Sequence, residues 1–349
     1  MMTGQNLVNH DQLEQQHGAV KEAPAVSVLI VGYNTKDLVL QCLEGLFDHT
    51  TGIDFEVLFV DNSSDGSEQA IRERFPQVRV IDNDQNLGFG RGNNFLARHA
   101  TGKYLLLLNP DTVVQDNAIG NLHYFAEQHP ECGAWGGITR LPDGSIDPGC
   151  KQPGVGFVKS LLMLMGMAEF ACPKVEAATK AMDVPSLSGA FMMLPRALWD
   201  DLAGFDETFF MYAEETDLCY RVRLTGRRVM ITPDASVVHL VGSGASQSPK
   251  RMLALTRGDM HFARKHFGPV TVFAFALIRW LYSLSRYLLG VIALPLVGSV
   301  RAAELRKRHA PIISNPGQWV HGWSDPLSPV SQAEAKHSKP MEPKSTAGS

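Results

Sequence analysis

Apolar and polar positions alternate along the first third of the chain in a way that predicts strands separated by helices. Four short apolar runs, rich in leucine and β-branched residues, predict buried strands: Val26–Gly32, Phe55–Val60, Val78–Ile81 and Tyr104–Leu108. The stretches between or beside them have helical spacing at 38–47, 67–75 and 90–99. This alternation indicates an α/β fold with a mostly parallel central sheet flanked by helices.

The second half of the chain is less regular. Pro-Asp-Gly within Arg140–Asp147 predicts a turn between two short strands. The Met-rich stretch at 161–167 is either a core helix or an adaptable contact surface, and we favour the core. The later predicted elements are a strand at Ala190–Leu194, helices at Arg196–Leu202 and Glu214–Thr225, and strands at Arg228–Ile231 and Ser236–Leu240.

Composition and pattern together divide the chain into four parts. They are a flexible polar arm at 1–24, a main domain at 25–245 with halves at 25–130 and 131–245, a helical region at 246–324, and a disordered polar tail at 325–349. Because no apolar segment precedes the main domain, no secretory signal is predicted and the domain is expected in the cytoplasm.

Charge and cysteine content exclude several classes of protein. The 32 basic residues are balanced by 36 acidic ones, so no nucleic-acid partner is expected. The 5 cysteines include no CxxC pair, which argues against a disulfide framework and against a structural zinc site. The sequence contains no phosphate-binding GxxxxGK[ST], no GxSxG and no HExxH, and the glycines at 88–92 lack the dinucleotide-binding spacing.

Polar clusters instead follow the predicted strands, where open α/β sheets bind ligands. They are Asp61–Gly66, Asn86–Asn94, Asn109–Thr112 and Phe209–Arg221, with His239 after them. Each alone is explained by a turn, a helix cap, first-turn acids or a structural histidine. Their joint occurrence on an alternating scaffold favours a functional site.

The sequence resembles the family 2 glycosyltransferases of the GT-A nucleotide-sugar transferase fold, particularly their rhamnosyltransferase-like branch. The resemblance covers residues 25–245, and the matching motifs are VSVLIVGYN (26–34), EVLFVDNSSDGS (56–67), NLGFGRGNN (86–94), YLLLLNPDT (104–112), the segment 188–226 and ASVVHLVG (235–242). It implies that 25–130 is the nucleotide-sugar-binding half and that 131–245 is the acceptor and catalytic half.

The resemblance also implies roles for individual residues on the donor side. Donor-binding residues would be Tyr33, Asn34, Asp61, Asn86, Gly88, Arg91 and Asn109. The family's metal motif, often written DxD, stands here as Asn109-Pro110-Asp111, so Asp111 would supply the main carboxylate and His239 would complete the site. The expected cofactor is a divalent metal, Mg²⁺ or Mn²⁺.

On the acceptor side, the resemblance makes Glu215 the catalytic base. The acceptor region would include Ser188, Gly189, Ala190 and Glu214. We expect the helix N-terminus to keep Glu215 ionised, and we expect Asp217 to pair with Arg221 four residues on.

A C-terminal apolar helical extension is expected from Val270–Val300, the most apolar stretch of the chain. Arg279 and Arg286 interrupt it, so we predict a helix that lies in the inner leaflet; a docking helix and a true span are the alternatives. A basic flank of Arg301, Arg306, Lys307 and Arg308 suits anionic headgroups. The predicted location is the cytoplasmic side of the cell membrane, as a peripheral protein.

These observations predict an inverting glycosyltransferase that moves a sugar, rhamnose being the first guess, from a nucleoside diphosphate sugar to a hydroxyl of a glycan or lipid-linked glycan in cell-surface polysaccharide synthesis. A sugar nucleotidyltransferase is the first alternative, although the chain lacks a glycine-rich phosphate loop after the first strand. A degenerate, non-catalytic nucleotide-sugar-binding protein is the second.

Overall fold

The computed structural model describes residues 23–147, 149–152, 155, 157–165, 167, 180–240, 248–292 and 299–323. Nearly all of the predicted arm, the whole predicted tail and parts of 153–185 lie outside these residues. The same is true of 241–245 at the end of the predicted main domain.

Strands and helices alternate in the first half as predicted. The strands are β1 (Val26–Gly32), β2 (Phe55–Asp61), β3 (Arg79–Val80), β4 (Tyr104–Leu108) and β5 (Thr112–Val114). The helices are α1 (Lys36–His49), α2 (Ser67–Arg74), α3 (Gly88–Ala97) and α4 (Ala118–Gln128). β5 and α4 are additions to the predicted pattern.

The second half contains short strands between helices. The strands are β6 (Cys132–Arg140), β7 (Lys151–Gln152), β8 (Met182–Asp183), β9 (Ser186–Leu187), β10 (Phe191–Pro195) and β11 (Arg228–His239), and the helices are α5 (Phe157–Leu164), α6 (Arg196–Asp201) and α7 (Glu214–Leu224). The two last predicted strands are one strand, β11, because its pairing with β6 continues after a register shift between Thr232 and Ser236.

The described strands form one main sheet in the order β3-β2-β1-β4-β10-β6-β11-β5, with β8 also paired to β11, and β7 and β9 pair separately. Strands β1, β2, β3, β4, β6 and β11 run in one direction, whereas β5, β8 and β10 run in the other. The sheet is therefore mostly parallel, as predicted.

Helices cover both faces of the sheet, which explains the continuous apolar runs of its strands. Along β1, Val28 and Ile30 join the core beneath α1 and α4, whereas Leu29 joins the core beneath α3, α6 and α7. The carboxyl ends of β1, β2 and β4 meet at one edge of the sheet, where the predicted donor residues follow.

The C-terminal region consists of α8 (Pro249–His266), α9 (Pro269–Ile292) and α10 (Ser299–Ser314), followed by a 3₁₀ turn at Pro316–Gln318. Phe262 of α8 packs in one buried cluster with Phe209, Phe210 and Trp323. The helices are thus attached to the segment that leads into α7, and their apolar contacts are part of the folded core.

Helix α9 is long and apolar enough to cross a membrane by length and composition, and only 17% of its most apolar stretch is buried. It ends at Ile292, and residues 293–298 of the predicted apolar helix lie outside the described residues. The preferred core interpretation of the Met-rich stretch is wrong for Leu161, Met165 and Met167, since all three side chains are exposed.

Candidate functional site: donor loops, a His–Asp cluster and a buried glutamate pair

The loops after β1 and β2 are joined by hydrogen bonds. Gly32 pairs with Asp61, so both loops begin at the same height on the sheet edge. Asp61 Oδ1 accepts from the backbone N–H of Ser63 at 3.0 Å and from its hydroxyl at 2.7 Å. The Ser63 hydroxyl oxygen in turn accepts from the backbone N–H of Asn34 at 3.0 Å. The structure therefore brings Asn34 and Asp61 together, with the half-buried Tyr33 in the same loop.

Asn62 connects this pair of loops to the start of α3. Its side-chain N–H donates to the carbonyl oxygen of Gly88 at 3.0 Å, and its carbonyl oxygen accepts from Leu87 N–H at 3.1 Å. Asn86 Oδ1 accepts from Gly88 N–H at 2.9 Å. Gly88 has φ +74°, and a Cβ there would lie 3.1 Å from the carbonyl oxygen of Phe210. Asn62 is buried, and the sequence did not single it out within its polar cluster.

The Arg91 side chain is oriented toward Glu207. Its Nε donates to the carbonyl oxygen of Glu207 at 3.2 Å and lies 3.6 Å from that residue's carboxylate. Asn94, one turn further along α3, donates to Glu207 and to the carbonyl oxygen of Phe205. Arg91 thus fixes α3 to the 205–207 loop, and its contact with a donor stays a prediction.

The Asn109–Thr112 turn is held from two sides. Asn109 N–H donates to the carbonyl oxygen of Ala190 at 3.1 Å, and the Thr112 hydroxyl donates to the carbonyl oxygen of Asn109 at 2.7 Å. Antiparallel pairing of β5 with β11 sets Thr112 opposite His239, and Leu240 N–H donates to the carbonyl oxygen of Asp111 at 2.8 Å. Strand pairing therefore brings the two predicted metal ligands together.

His239 lies between two carboxylates. Its Nε2 is 3.3 Å from Asp111 Oδ1, and its Nδ1 is 2.9 Å from Asp147 Oδ2. Burial opposes the charged imidazolium, but hydrogen bonds and attraction from Asp111 and Asp147 outweigh it and raise the pKa of His239 to about 9. Asp147 was absent from the predicted site, because its partner lies far away in the sequence and nothing in the Pro-Asp-Gly turn marks it.

The donor set of Asp111 and His239 is suited to a divalent cation. Carboxylate oxygen and imidazole nitrogen are ligands for Mg²⁺ or Mn²⁺ when other oxygens come from a diphosphate. Within the described residues, no group of three or more His, Cys, Asp or Glu side chains has the arrangement of a complete metal site. A cation here would have Asp111 and His239 as protein ligands, and its other coordination positions would be open to water or to diphosphate oxygens.

The buried Glu214 and the half-buried Glu215 begin α7. Gly189 N–H donates to Glu215 Oε1 at 3.4 Å, and a Cβ on Gly189 would lie 3.2 Å from Glu215 Cγ, so glycine permits this approach. The Oε2 atoms of both glutamates are buried and have no hydrogen-bond partner among residues the structure describes. Ala190 N–H donates to the Ser188 hydroxyl at 3.2 Å, so the predicted acceptor residues form one short segment beside Glu215.

Burial sets the protonation of the glutamate pair. Burial and then the charge of Glu215 raise the pKa of Glu214 well above 4.5, and burial raises the pKa of Glu215 as well. The expected effect of the helix N-terminus on Glu215 is thus outweighed, since backbone N–H groups of Glu215 and Gly189 offset only part of the cost of burial. Both carboxyls therefore bind their protons more tightly than a free glutamate does.

The residues before α7 have a strained backbone. Tyr212 and Ala213 both have positive φ, +66° and +70°. Non-glycine residues in this region cost on the order of 1 kcal/mol or more and persist where packing holds them. Gly258 of α8 supplies that packing, because a Cβ there would lie 2.4 Å from the Tyr212 carbonyl oxygen. The strain lies immediately before Glu214.

Asp217 has a structural role, as expected. Its carboxylate lies 2.7 Å from Arg221 Nε, and the same side chain contacts Lys265 at 2.8 Å and His266 at 2.7 Å. Asp217 is fully buried and joins α7 to α8. Glu214, Glu215 and Asp217 therefore differ in environment although they are close in sequence.

Comparison with known proteins agrees with this architecture. The sequence model described as Glycosyl transferase family 2 matches residues 27–147. The N-acetylglucosaminyl-diphospho-decaprenol L-rhamnosyltransferase of Mycobacterium tuberculosis is 30% identical over 216 residues, which are 57% of this chain and 70% of the relative. Rhamnosyltransferase WbbL of Escherichia coli is 26% identical over 227 residues, which are 61% of this chain and 83% of the relative.

A solved structure shows the same fold. The mannosyltransferase PcManGT from Pyrobaculum calidifontis, in complex with GDP-Man and Mn²⁺, aligns with a TM-score of 0.56 over 86% of each chain at 17% identity. The predictions of a GT-A fold and of glycosyltransferase activity are confirmed. The chain belongs to glycosyl transferase family 2 and is similar to its rhamnosyltransferases.

Proposed function

We propose that this glycosyltransferase moves rhamnose from a nucleoside diphosphate donor to a hydroxyl of a lipid-linked glycan, with inversion, during cell-surface polysaccharide synthesis. The printed activities of the relatives from M. tuberculosis and E. coli support the sugar, and the former supports a lipid-linked acceptor. One observation carries the chemistry. Segment 188–190 contacts Glu215 through Gly189 and the Asn109–Asp111 turn through Ala190.

Glu215 is the base in this proposal. Its buried Oε2 accepts the proton of the acceptor hydroxyl, and the hydroxyl oxygen forms the new bond to the anomeric carbon as the bond from that carbon to the diphosphate breaks. A pKa above the ordinary carboxyl value suits this task, because the efficiency of a general base rises as its pKa approaches the working pH. Glu214, whose pKa is raised as well, lines the acceptor side in this proposal.

On the donor side, Asp111 and His239 are proposed to hold a divalent cation. When bound, the cation supplies positive charge that stabilises the leaving diphosphate. Asn34 and Asp61 are proposed to bind the nucleoside, since a carboxylate oxygen can accept a base N–H. Asn86 and Gly88, at the start of α3, are proposed to lie on the diphosphate side of the donor.

A transfer assay tests the activity. Purified chain is incubated with Mn²⁺, radiolabelled thymidine-diphosphate rhamnose and a prenyl-diphosphate N-acetylglucosamine acceptor, in parallel with uridine- and guanosine-diphosphate sugars. We expect acceptor-dependent labelling of the lipid. Label transferred only from another nucleotide sugar would overturn rhamnose, and donor turnover without acceptor would favour a nucleotidyltransferase. Donor binding without turnover on any acceptor would favour a non-catalytic binding protein.

Peripheral binding at the cytoplasmic face of the membrane is the second part of the proposal. The residues on one face of α9 are exposed and almost entirely apolar: Val270, Phe273, Leu277, Leu281, Leu288 and Ile292. The opposite face packs on α8 and α10, and Arg279 pairs with Asp259 of α8 at 3.1 Å. An arginine neutralised within the protein does not have to enter lipid alone. A helix with one exposed apolar face and one packed face suits the membrane interface.

Charge placed on that face tests membrane binding without removing packed helices. Phe273→Glu with Leu277→Glu should move the chain from the floating to the soluble fraction with vesicles of phosphatidylethanolamine and phosphatidylglycerol. Tyr124→Glu on α4, another exposed aromatic position, serves as the control and should leave flotation unchanged. If the wild-type chain does not float, or if the double variant floats equally well, the membrane proposal fails.

A further inference from the structure

Asp147 contacts the His239 imidazole although the sequence did not indicate it. Its side chain is 1% exposed, and its Oδ2 lies 2.9 Å from His239 Nδ1. A carboxylate has no N–H to donate, so the imidazole is the donor in this hydrogen bond. Nδ1 is therefore engaged, and the ring presents its other nitrogen, Nε2, to Asp111.

Asp147 is itself held firmly in place. Its N–H donates to the carbonyl oxygen of Thr139 at 2.9 Å, and its Oδ1 accepts from Gly149 N–H at 2.9 Å. A bridge between Arg140 and Ile146 closes the hairpin that precedes it. With one carboxylate oxygen bound to backbone and the other to imidazole, Asp147 fixes the plane and the rotation of the His239 ring.

We propose that Asp147 is a positioning residue: it accepts the Nδ1–H of His239 and so aims Nε2 at the place beside Asp111 where the divalent cation binds. This inference rests on the proposed metal site. Imidazole ligands commonly donate their second N–H to a carboxylate, which fixes ring orientation and makes the ligating nitrogen more basic. Asp147 also adds a second negative charge near a pair of ligands that has only one carboxylate.

Metal binding by three variants tests the proposal. Asp147→Ala removes the acceptor, and Asp147→Asn keeps an acceptor of the same shape without its charge. Asp143→Asn is the matched control, because Asp143 is exposed in the same hairpin and contacts only Ser145 in the hydrogen bonds described there. Titration with Mn²⁺ alone is followed by electron paramagnetic resonance of the free ion. We expect Asp147→Ala to weaken Mn²⁺ binding by ~10–100-fold, Asp147→Asn by less, and Asp143→Asn not at all.

A second measurement follows the ring itself and requires no metal. The hydrogen-bonded Nδ1 proton of His239 should give a low-field proton resonance in wild type and Asp143→Asn that is lost in Asp147→Ala. Thermal unfolding of each variant shows whether it is folded. If Asp147→Ala does not fold, the same measurements on Asp147→Asn test the proposal.

The possible failures are distinguishable. If wild type binds no Mn²⁺, or if His239→Ala binds it as wild type does, the proposed metal site is wrong and the positioning role falls with it. If wild type binds Mn²⁺ and folded Asp147→Ala binds it equally tightly, the metal site stands and the role of Asp147 is overturned. Persistence of the low-field resonance in Asp147→Ala would also overturn it.

Discussion

Two pairs of acidic residues in this molecule have opposite electrostatics. Asp111 and Asp147 lie on either side of His239, whose pKa they raise to about 9, so a positive charge is favoured between them. Glu214 and Glu215 are also a pair of acids. Their carboxylates contact no cation among the described ion pairs, and the pKa of both is raised. The first pair surrounds a ring on which positive charge is favoured, and the second pair binds its protons more tightly than free carboxyls do.

The difference shows that position in the fold, and not residue type, assigns these acids their chemistry. Strand pairing places Asp111 beside an imidazole, whereas the start of α7 places Glu215 against Gly189, next to the buried Glu214. A glycosyl transfer needs both environments, one for the departing diphosphate and one for the acceptor hydroxyl. Substitutions at these acids and at the two histidines, His239 and His309, test this difference.

The largest effect is expected from removing the proton acceptor. Glu215→Gln should lower turnover by ~10²-fold or more while donor affinity stays unchanged, because the amide cannot accept the proton. Steady-state transfer rates and calorimetric titration with the nucleoside diphosphate check the two parts. Glu214→Gln is the matched control, and its turnover should remain closer to wild type because Glu214 is not the proton acceptor in this proposal. A fully active Glu215→Gln would show that the base lies elsewhere.

The next effect concerns the cation-binding pair. Asp111→Asn should abolish metal-dependent binding of the nucleoside diphosphate, whereas His239→Ala should only weaken it, because Asp111 supplies charge and His239 supplies one replaceable ligand. Calorimetry with the diphosphate in the presence and absence of Mn²⁺ measures both. Metal-dependent affinity retained in Asp111→Asn would contradict the assignment of this pair.

A smaller effect should appear in stability as a function of pH. The folded chain keeps the Glu214 proton above the ordinary pKa of 4.5, whereas the unfolded chain loses it there, so this group makes unfolding easier as pH rises above 4.5. Glu214→Gln, which is always neutral, should raise the unfolding temperature relative to wild type at pH 8 but not near pH 4.5. Equal differences at both pH values would mean that Glu214 is ionised in the folded chain.

The smallest effect is expected at His309, a buried histidine whose pKa is lowered, whereas the pKa of His239 is raised. Burial and the charges of Arg308, Arg286 and Arg279 lower the pKa of His309 to about 4, so its contribution to stability is lost as pH falls from 6.5 toward 4. His309→Gln should flatten this loss by about 2 °C in the unfolding temperature, the size expected for roughly 1 kcal/mol. His321→Gln, at an exposed histidine, is the control; identical pH profiles for all three chains would refute the prediction.

The sequence was most informative where contacts are local. The apolar runs that form β1, β2 and β4 could be recognised because strands covered on both faces are continuously apolar. The motifs at Asn109–Asp111 and Glu214–Glu215 could be located by resemblance. Their roles remain proposals.

What could not be predicted depends on contacts between distant segments. The bond between His239 and Asp147 joins residues 92 positions apart, and no local pattern encodes it. The raised pKa of both members of the glutamate pair depends on burial that the whole fold creates. β5 has only 3 residues, too few to show an alternation of apolar and polar positions. α4 was also missed, although Ile119 and Leu122 stand at helical spacing and could have indicated it.

The close contact between Gly258 and Tyr212 fixes the rotation of α8 about its axis relative to the segment before α7. One residue inserted early in α8 would rotate everything after it by about 100°, which would remove Gly258 from Tyr212 and also take Lys265 and His266 away from Asp217. During evolution, α8 can therefore gain or lose length only in steps close to whole turns. The exposed face of α9 is free of such a restriction and can change one side chain at a time. Descendants of this sequence should consequently diverge in the composition of α9 long before they diverge in the length of α8.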